Sequence, residues 1–214
     1  MLFSADDEVG RPSLWLIDIA LSAARAASGI DLSSLARRMK SPPYFCDIWP
    51  GEHYKFLAAL VQLLSPKRII EIGTATGLSA LAMKSYLPPS GHLITFDIVS
   101  WTSFPDTVLT SSDFADGSLL QSNVDPSDPI ICRELENELS LAELIFFDAA
   151  KDAVTERRLI ENFRKIKFVR TPLVVFDDIR LWNMLEIWRE VTAPKLDVTS
   201  FGHWSGTGLV EWRW

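Results

Sequence analysis

Residues 68–83 read R-I-I-E-I-G-T-A-T-G-L-S-A-L-A-M, an apolar strand that runs into a turn bounded by Gly73 and Gly77 and then into an apolar helix. Glycine at both ends of so short a connection points to a sharp backbone bend and to a close approach that a Cβ would obstruct. Glu71 puts a carboxylate near the carboxyl end of the strand, and Ser79 opens the helix. A dinucleotide fingerprint needs G-x-G-x-x-G, so that backbone N–H groups cradle a pyrophosphate. Ala75 and Leu78 stand where that pattern needs its second and third glycines, and the pyrophosphate grip is excluded. Such a turn on its own also occurs as an ordinary strand-turn-helix in any α/β protein, and residues further along decide its meaning.

Around that stretch the chain reads as one enzyme-sized unit. Its 214 residues are 48% hydrophobic, enough to bury a sizeable core without splitting, and no internal repeat or low-complexity tract interrupts them. Residues 1–50 read as a helical cap or substrate lid and residues 51–214 as the core, within a single compact domain. The formal net charge of −7 argues against a nucleic-acid partner, because phosphate binding relies on clustered Lys and Arg. No apolar run approaches the roughly 20 residues a membrane span requires, and residues 1–11 lack the features of an export signal. The expected location is cytoplasmic, and Cys46 and Cys132, without metal-type spacing, are expected as reduced buried thiols.

The pattern predicts helices over residues 14–28, from Asp31 or Ser33 through Arg38, and over residues 51–64, with Ser41-Pro42-Pro43 as a stop between the last two. Strand patterns follow the quoted stretch at residues 92–98, 119–125, 143–148 and 173–178, alternating with helices. Such alternation implies parallel βαβ units with both sheet faces covered. Residues 196–203 and 208–214 read as two strands joined by a short connection, hence an antiparallel hairpin. Residues 99–118 form the longest loop-like stretch, expected to be mobile. Arg157, Arg158, Arg164, Lys165, Lys167 and Arg170 are interleaved with Leu159, Ile160, Phe163 and Ile166 at helical spacing, which predicts the solvated face of a helix covering the sheet.

Acidic residues stand at the carboxyl ends of these strands: Asp97, Asp125, Asp148 and the pair Asp177-Asp178. In an open α/β sheet that edge binds ligands, and a carboxylate about 20 residues beyond the glycine turn can accept both hydroxyls of a ribose. E-x-G-x-x-x-G followed by Asp97 resembles the first motifs of class I S-adenosylmethionine (SAM) methyltransferases. That resemblance implies a Rossmann-like α/β sheet of parallel strands closed by one antiparallel C-terminal strand. It also implies a cofactor site of Glu71, Gly73, Gly77, Ser79, Asp97, Asp125 and Asp148, with Ser79 facing the methionine carboxylate and Asp125 near the adenine.

Asp148-Ala149-Ala150-Lys151-Asp152 together with Asp177-Asp178 narrows the resemblance to the metal-dependent O-methyltransferases typified by catechol and caffeoyl-coenzyme A O-methyltransferase, over residues 51–214. The resemblance implies that Asp148, Asp177 and Asp178 hold Mg2+ or Mn2+ and that Lys151 is the general base. Asp178 replaces that family's Asn, which tightens a hard cation but weakens its power to acidify a hydroxyl. A related group of small bacterial methyltransferases carries D-D-I here, as in Asp177-Asp178-Ile179. Adjacent carboxylates after the apolar run Leu173-Val174-Val175-Phe176 would in any case repel each other unless a cation or donors met them.

The implied partner is a small-molecule acceptor, with an aromatic one suggested by Trp49, Trp101, Trp182 and Trp204 as pocket walls; a homodimer is compatible with the sequence. Each of these tryptophans is equally well explained as cover for the core edge. His203 reads as a satisfied structural histidine, and Glu52 and His53 as cofactor contacts or as a helix cap. Ser41-Pro42-Pro43-Tyr44 resembles the motif of amino-methyltransferases but sits far from strand four, so it reads as a helix stop. Two rival functions stay open: a metal-independent methyltransferase in which Asp177 and Asp178 bind substrate, and a non-catalytic SAM-fold module.

Overall fold

The computed structural model describes residues 10–40, 46 and 53–214. Ser41-Pro42-Pro43-Tyr44, Trp49 and Glu52 lie outside the described residues. Seven strands form one sheet: β1 (Arg68–Ile72), β2 (His92–Phe96), β3 (Leu119–Ser122), β4 (Leu144–Phe147), β5 (Leu173–Asp177), β6 (Lys195–Asp197) and β7 (Thr207–Glu211). Their order is β3-β2-β1-β4-β5-β7-β6. Pairings are parallel from β3 through β5, and β7 runs antiparallel to both β5 and β6.

Side chains on successive strand residues point to opposite faces, and each strand uses the alternation to build both cores. Ile69, Leu144, Phe146, Leu173 and Val175 join the helices α1 (Leu14–Ala27), α3 (His53–Leu64) and α4 (Leu78–Lys84) on one face. Ile70, Ile72, Ile145, Phe147, Val174 and Phe176 meet α7 (Val154–Phe163) and α8 (Met184–Glu190) on the other. This second face is aromatic, with Phe147 at 5.1 Å from Phe163 and 5.0 Å from Phe176, and Trp212 stacked on Phe176. Burying a side chain of this size contributes about 1.5–3 kcal/mol.

Local chemistry sets the helix starts. Ser13 Oγ accepts from Leu16 N–H at 3.2 Å to cap α1, and Asp128 caps α5 (Pro129–Glu134), where proline occupies the first turn without cost. Asp31 does accept from Ser33 N–H at 2.8 Å, but α2 spans only Ser33–Ala36 instead of reaching Arg38. The basic run follows the expectation only in its first part: α7 buries Leu159 and Phe163 and carries Arg158 and Arg157, the latter paired with Glu186 and Glu190, but the helix ends at Phe163, so Arg164, Lys165, Lys167 and Arg170 lie beyond it. Cys46 and Cys132 are buried and form no disulfide.

Two expectations need correction. Residues 99–118 are tied down instead of loose: the Arg38 guanidinium donates to both oxygens of Asp113 at 2.8 Å, Lys84 pairs with Asp116 at 2.9 Å, and Val108 N–H donates to Thr76 O. The residues expected as a strand over 196–203 are mostly a turn. Asp197 Oδ1 accepts from Thr199 N–H at 2.9 Å, which ends β6 after three residues, and the connection to β7 runs over residues 198–206.

Gly73 has φ +100°, and an added Cβ would sit 2.0 Å from the carbonyl oxygen of Asp148. The glycine lets β1 and the end of β4 approach each other, which gives it a role in the fold. Gly117, at φ +73°, has nothing within 4 Å of such a Cβ. Gly117→Ala is expected to lose about 1–2 kcal/mol from the left-handed backbone alone. Gly73→Ala should lose roughly 1–3 kcal/mol more from the clash, read by urea unfolding; equal losses would remove the packing role.

Candidate active site

The register brings the ends of the strands to one edge. Ile72 pairs with Phe96 and Phe147, and Phe147 with Phe176, so the residues that follow them, Gly73, Asp97, Asp148 and Asp177, emerge side by side. Beside this edge lies a cleft of ≈ 350 Å³ lined in part by Gly73, Ala75, Asp97, Asp125, Asp148 and Ile98. Sequence reasoning passed over Ile98, which is 75% exposed there. An exposed branched aliphatic at the rim of a largely apolar cleft is suited to cover a flat apolar ring. Its signal was the T-F-D-I run itself.

Asp97 is less open than its position suggests. Its Oδ2 accepts from Thr74 N–H at 3.0 Å and Ala75 N–H at 2.9 Å, and its Oδ1 from Val99 N–H at 2.9 Å. The carboxylate therefore ties β2 to the glycine turn and retains limited acceptor capacity for a ligand. Asp125, three residues past β3, lines the same cleft and accepts from Ser127 N–H at 2.8 Å. Glu71 is fully buried on β1, and neither of its oxygens has a hydrogen-bond partner. Burial lifts its pKa to about 8, with Ser79 and Thr95 nearby pulling it back. Ser79 is buried in the first turn of α4, which begins after Gly77 at φ +87°.

Asp148, Asp177 and Asp178 each offer a carboxylate oxygen, and these lie within 4.8 Å of one another, the spread expected of a cation cage. Lys151 reaches into this cluster: its ammonium bonds to Asp148 Oδ1 and lies 3.3 Å from Asp178 Oδ2. The loop that delivers it has two non-glycine residues in the left-handed region, Lys151 at φ 62° and Ala153 at φ 66°. Buried Glu156 holds that geometry by accepting from Lys151 N–H at 2.6 Å and Ala153 N–H at 2.9 Å. This brace was not read from the sequence, where Glu156 is one more acid in an amphipathic helix.

Histidine makes the other half of the cluster. His53 at the start of α3 is 3% exposed, and its Nδ1 lies 3.5 Å from Asp177 Oδ1. His203 Nδ1 lies 3.4 Å from Asp177 Oδ1, 3.5 Å from Asp178 Oδ1 and 2.7 Å from Ser205 Oγ. His203 is thus part of the site and not a structural residue apart from it. His53 touches the same carboxylate from the N-terminal side. Of the tryptophans, Trp101 stacks on Phe114 beside the core, whereas Trp182 and Trp204 are 77% and 71% exposed.

Charges in the cluster are mutually adjusted. Burial opposes ionisation of Asp177 and Asp178, but the histidines and Lys151 outweigh it and hold both below the usual carboxylate range. Burial raises Asp148 in spite of Lys151. Burial would discharge Lys151, yet Asp148, Asp177 and Asp178 together keep its pKa above the ordinary lysine value. The ammonium is the resident counter-charge of the acids, the reverse of the depressed lysine expected of a base beside a metal. Burial depresses the pKa of His53 more than Asp177 raises it.

The sheet order, with one antiparallel strand inserted beside β5, and a cleft at the carboxyl edge define the class I methyltransferase fold. The chain belongs to the O-methyltransferase family, whose profile matches residues 35–195. It is 32% identical over 108 residues to a catechol O-methyltransferase of Niastella koreensis, a stretch covering 48% of this chain and 46% of that protein. The chain thus aligns with about half the length of that curated relative. Among solved structures it is similar to CalS11, a TDP-rhamnose 3'-O-methyltransferase of calicheamicin biosynthesis, at 16% identity over 98% of this chain and 99% of that one, with a TM-score of 0.57. It is also similar to the SAH-bound methyltransferase PaMTH1 of Podospora anserina, at 14% identity over 92% and 88% of the two chains, with a TM-score of 0.55.

Glu71 yields a pH prediction for the ligand-free protein. Its folded pKa of about 8 lies above the reference 4.5, so the folded chain keeps a proton that the unfolded chain releases between those values. Stability should fall as pH rises through this window, by an amount on the order of a few kcal/mol. Glu71→Gln, which carries no charge at any pH, should flatten the curve and be the more stable form at pH 8. Parallel urea-unfolding curves for the two proteins across the window would refute the burial of an orphaned carboxyl.

Proposed function

We propose that the protein is a SAM-dependent methyltransferase that transfers a methyl group to a hydroxyl oxygen of a small molecule, assisted by Mg2+ or Mn2+. The observation that carries this reading is the convergence of Asp148, Asp177, Asp178 and Lys151 beside the cleft lined by Gly73 and Asp97. Bound SAM supplies a sulfonium methyl: the S–C bond breaks as the C–O bond forms, and the electron pair stays on the sulfur of the neutral thioether product. Such a displacement needs alignment and a deprotonated nucleophile, with no acid for the leaving group. Glu71, a buried carboxyl without a partner, suits a cationic cofactor group. Asp97 and Asp125 would meet the nucleoside end of the cofactor, and Ile98 would cover its adenine.

A divalent ion held by Asp148, Asp177 and Asp178 would supply a Lewis acid that lowers the acceptor's pKa. Lys151 accepts the acceptor's proton once its carboxylate partners are engaged elsewhere and its ammonium is no longer favoured. Trp182 and Trp204 offer apolar walls for an aromatic acceptor. The catechol relative and the sugar-modifying neighbour both fit a small hydroxylated acceptor.

A second reading has its own observation. Lys151 already neutralises the cluster, so it can take a cation's electrostatic place and leave Asp177 and Asp178 to bind the acceptor directly. Chelation separates the two. With a catechol as acceptor, EDTA should abolish turnover, and Mg2+ or Mn2+ should restore it; undiminished turnover in excess chelator selects the metal-independent reading. Calorimetry showing no heat with SAM or S-adenosylhomocysteine, on folded protein, would overturn both.

If Lys151 is the base, Lys151→Ala should lower kcat by roughly 10²- to 10⁴-fold while SAM affinity changes little. Raising the pH should recover part of the loss, because solution then ionises the acceptor. Wild-type kcat at neutral pH in this variant would reduce Lys151 to a charge partner of the acids.

A further inference from the structure

The cluster around Asp177 has two sides, and they differ in chemistry. On one side Lys151 occupies Asp148 Oδ1 and approaches Asp178 Oδ2. On the other, Asp177 Oδ1 faces two imidazoles, at 3.5 Å from His53 Nδ1 and 3.4 Å from His203 Nδ1. Asp178 Oδ1 borders that side, 3.5 Å from His203 Nδ1, and accepts a hydrogen bond from the Ser205 hydroxyl.

These separations are too long for N–H···O hydrogen bonds, which run about 2.7–3.2 Å. They match another arrangement. Ligand atoms at about 2.0–2.2 Å around a tetrahedral ion stand roughly 3.4 Å apart along each edge. His53 adds an independent sign of a missing partner, since both its ring nitrogens and Asp177 Oδ1 are buried without a hydrogen-bond partner. Its ring is fixed by packing, 4.4 Å from Tyr54, 5.7 Å from Phe146 and edge-on to His203 at 4.9 Å. A buried, oriented imidazole with nothing to bond is costly unless something binds it. One ligand atom from each of His53, Asp177 and His203 lies within 4.8 Å of the others.

We infer that His53, Asp177 and His203 form a mixed imidazole–carboxylate site for a borderline divalent transition ion such as Zn2+ or Co2+, distinct in chemistry from the all-oxygen Asp148-Asp177-Asp178 cage. Imidazole nitrogen favours such ions over Mg2+, which prefers oxygen and water. Occupying this side leaves Lys151 on Asp148, whereas the all-oxygen cage requires the ammonium to yield. His203 and Asp178, both partly exposed, give the ion its entry. Because Ser205 gives its proton to Asp178 Oδ1, His203 Nδ1–H donates to Ser205 Oγ in the ion-free site, and the ring takes the Nε2–H tautomer to present its Nδ1 lone pair to the ion. The two sites share Asp177, so one ion at a time is expected there. This inference does not depend on methyl transfer.

Metal-free full-length protein, without SAM or acceptor, is titrated calorimetrically with Zn2+ and with Mg2+, and Co2+ binding is followed by its visible ligand-field bands. One Zn2+ per chain is expected, bound at least tenfold more tightly than Mg2+. His203→Asn should weaken Zn2+ at least tenfold and reduce the Co2+ bands, whereas Asp148→Asn should leave both nearly unchanged. His53→Gln should act like His203→Asn. If that variant does not fold, nitrogen couplings from two imidazoles in the pulsed EPR of the Cu2+-loaded wild type replace it. Absence of Zn2+ uptake, as when a water occupies the space, overturns the site. So does Zn2+ binding that survives loss of His203 or depends on Asp148. These outcomes leave methyl transfer standing, and failure to transfer methyl leaves the Zn2+ result standing.

Discussion

A strand that ends in two consecutive carboxylates inside a protein must find them partners, because an unpaired buried charge is far costlier than any hydrogen bond gained elsewhere. Asp177, the last residue of β5, is buried, and Asp178 follows it in the left-handed region at φ 59°. Their partners come from three separate parts of the chain: His53 from the start of α3, Lys151 from the loop after β4, and His203 with Ser205 from the connection to β7. The acids therefore join the N-terminal helices, the middle of the sheet and its reversed end. Whatever binds there meets a surface assembled by charge compensation, with hydrophobic packing supplying the scaffold on either face.

Backbone strain is concentrated at the same edge. Among the described non-glycine residues with positive φ, Ala75, Lys151, Ala153, Asp178 and Trp182 belong to the turns leaving β1, β4 and β5. Such conformations cost of order 1–3 kcal/mol each and persist where the surroundings overdetermine them. Two carboxylates do this work here: Asp97 pins the turn after β1 through Thr74 and Ala75, and Glu156 pins the loop after β4 through Lys151 and Ala153. Both act on backbone N–H groups, so a carboxylate near a site need not be aimed at a ligand.

Much of the sheet was legible because parallel strands buried on both faces appear as continuous apolar runs, and those of β2, β4 and β5 ended in acids that marked the binding edge. What the sequence concealed has specific causes. His53 and His203 meet only in the folded chain, edge to edge at 4.9 Å beside Asp177, and each sits in a segment where an ordinary role for histidine is adequate. Asp97 has the same spacing whether it accepts from backbone amides or from a ribose. Gly73 looks like a ligand turn, but the atom nearest to an added Cβ belongs to Asp148. Residues 198–203 contain strand-like apolar positions, and the turn made by Asp197 and Thr199 overrides them.

The insertion of β7 between β5 and β6 bears on how the protein is made. During synthesis β5 emerges with one side unpaired, and its carboxylates wait without the imidazole and hydroxyl that will later meet them. The segment supplying His203 and Ser205 emerges just ahead of β7, and Arg180 N–H and Ile179 N–H then donate to the carbonyls of Ser205 and Gly206. A nascent chain thus carries an open sheet edge next to uncompensated acids until its final strand arrives, the state in which strand pairing with another chain is most favoured. Completion of the acidic cluster and closure of that edge are one event, so a chain stalled before β7 is both chemically incomplete and adhesive.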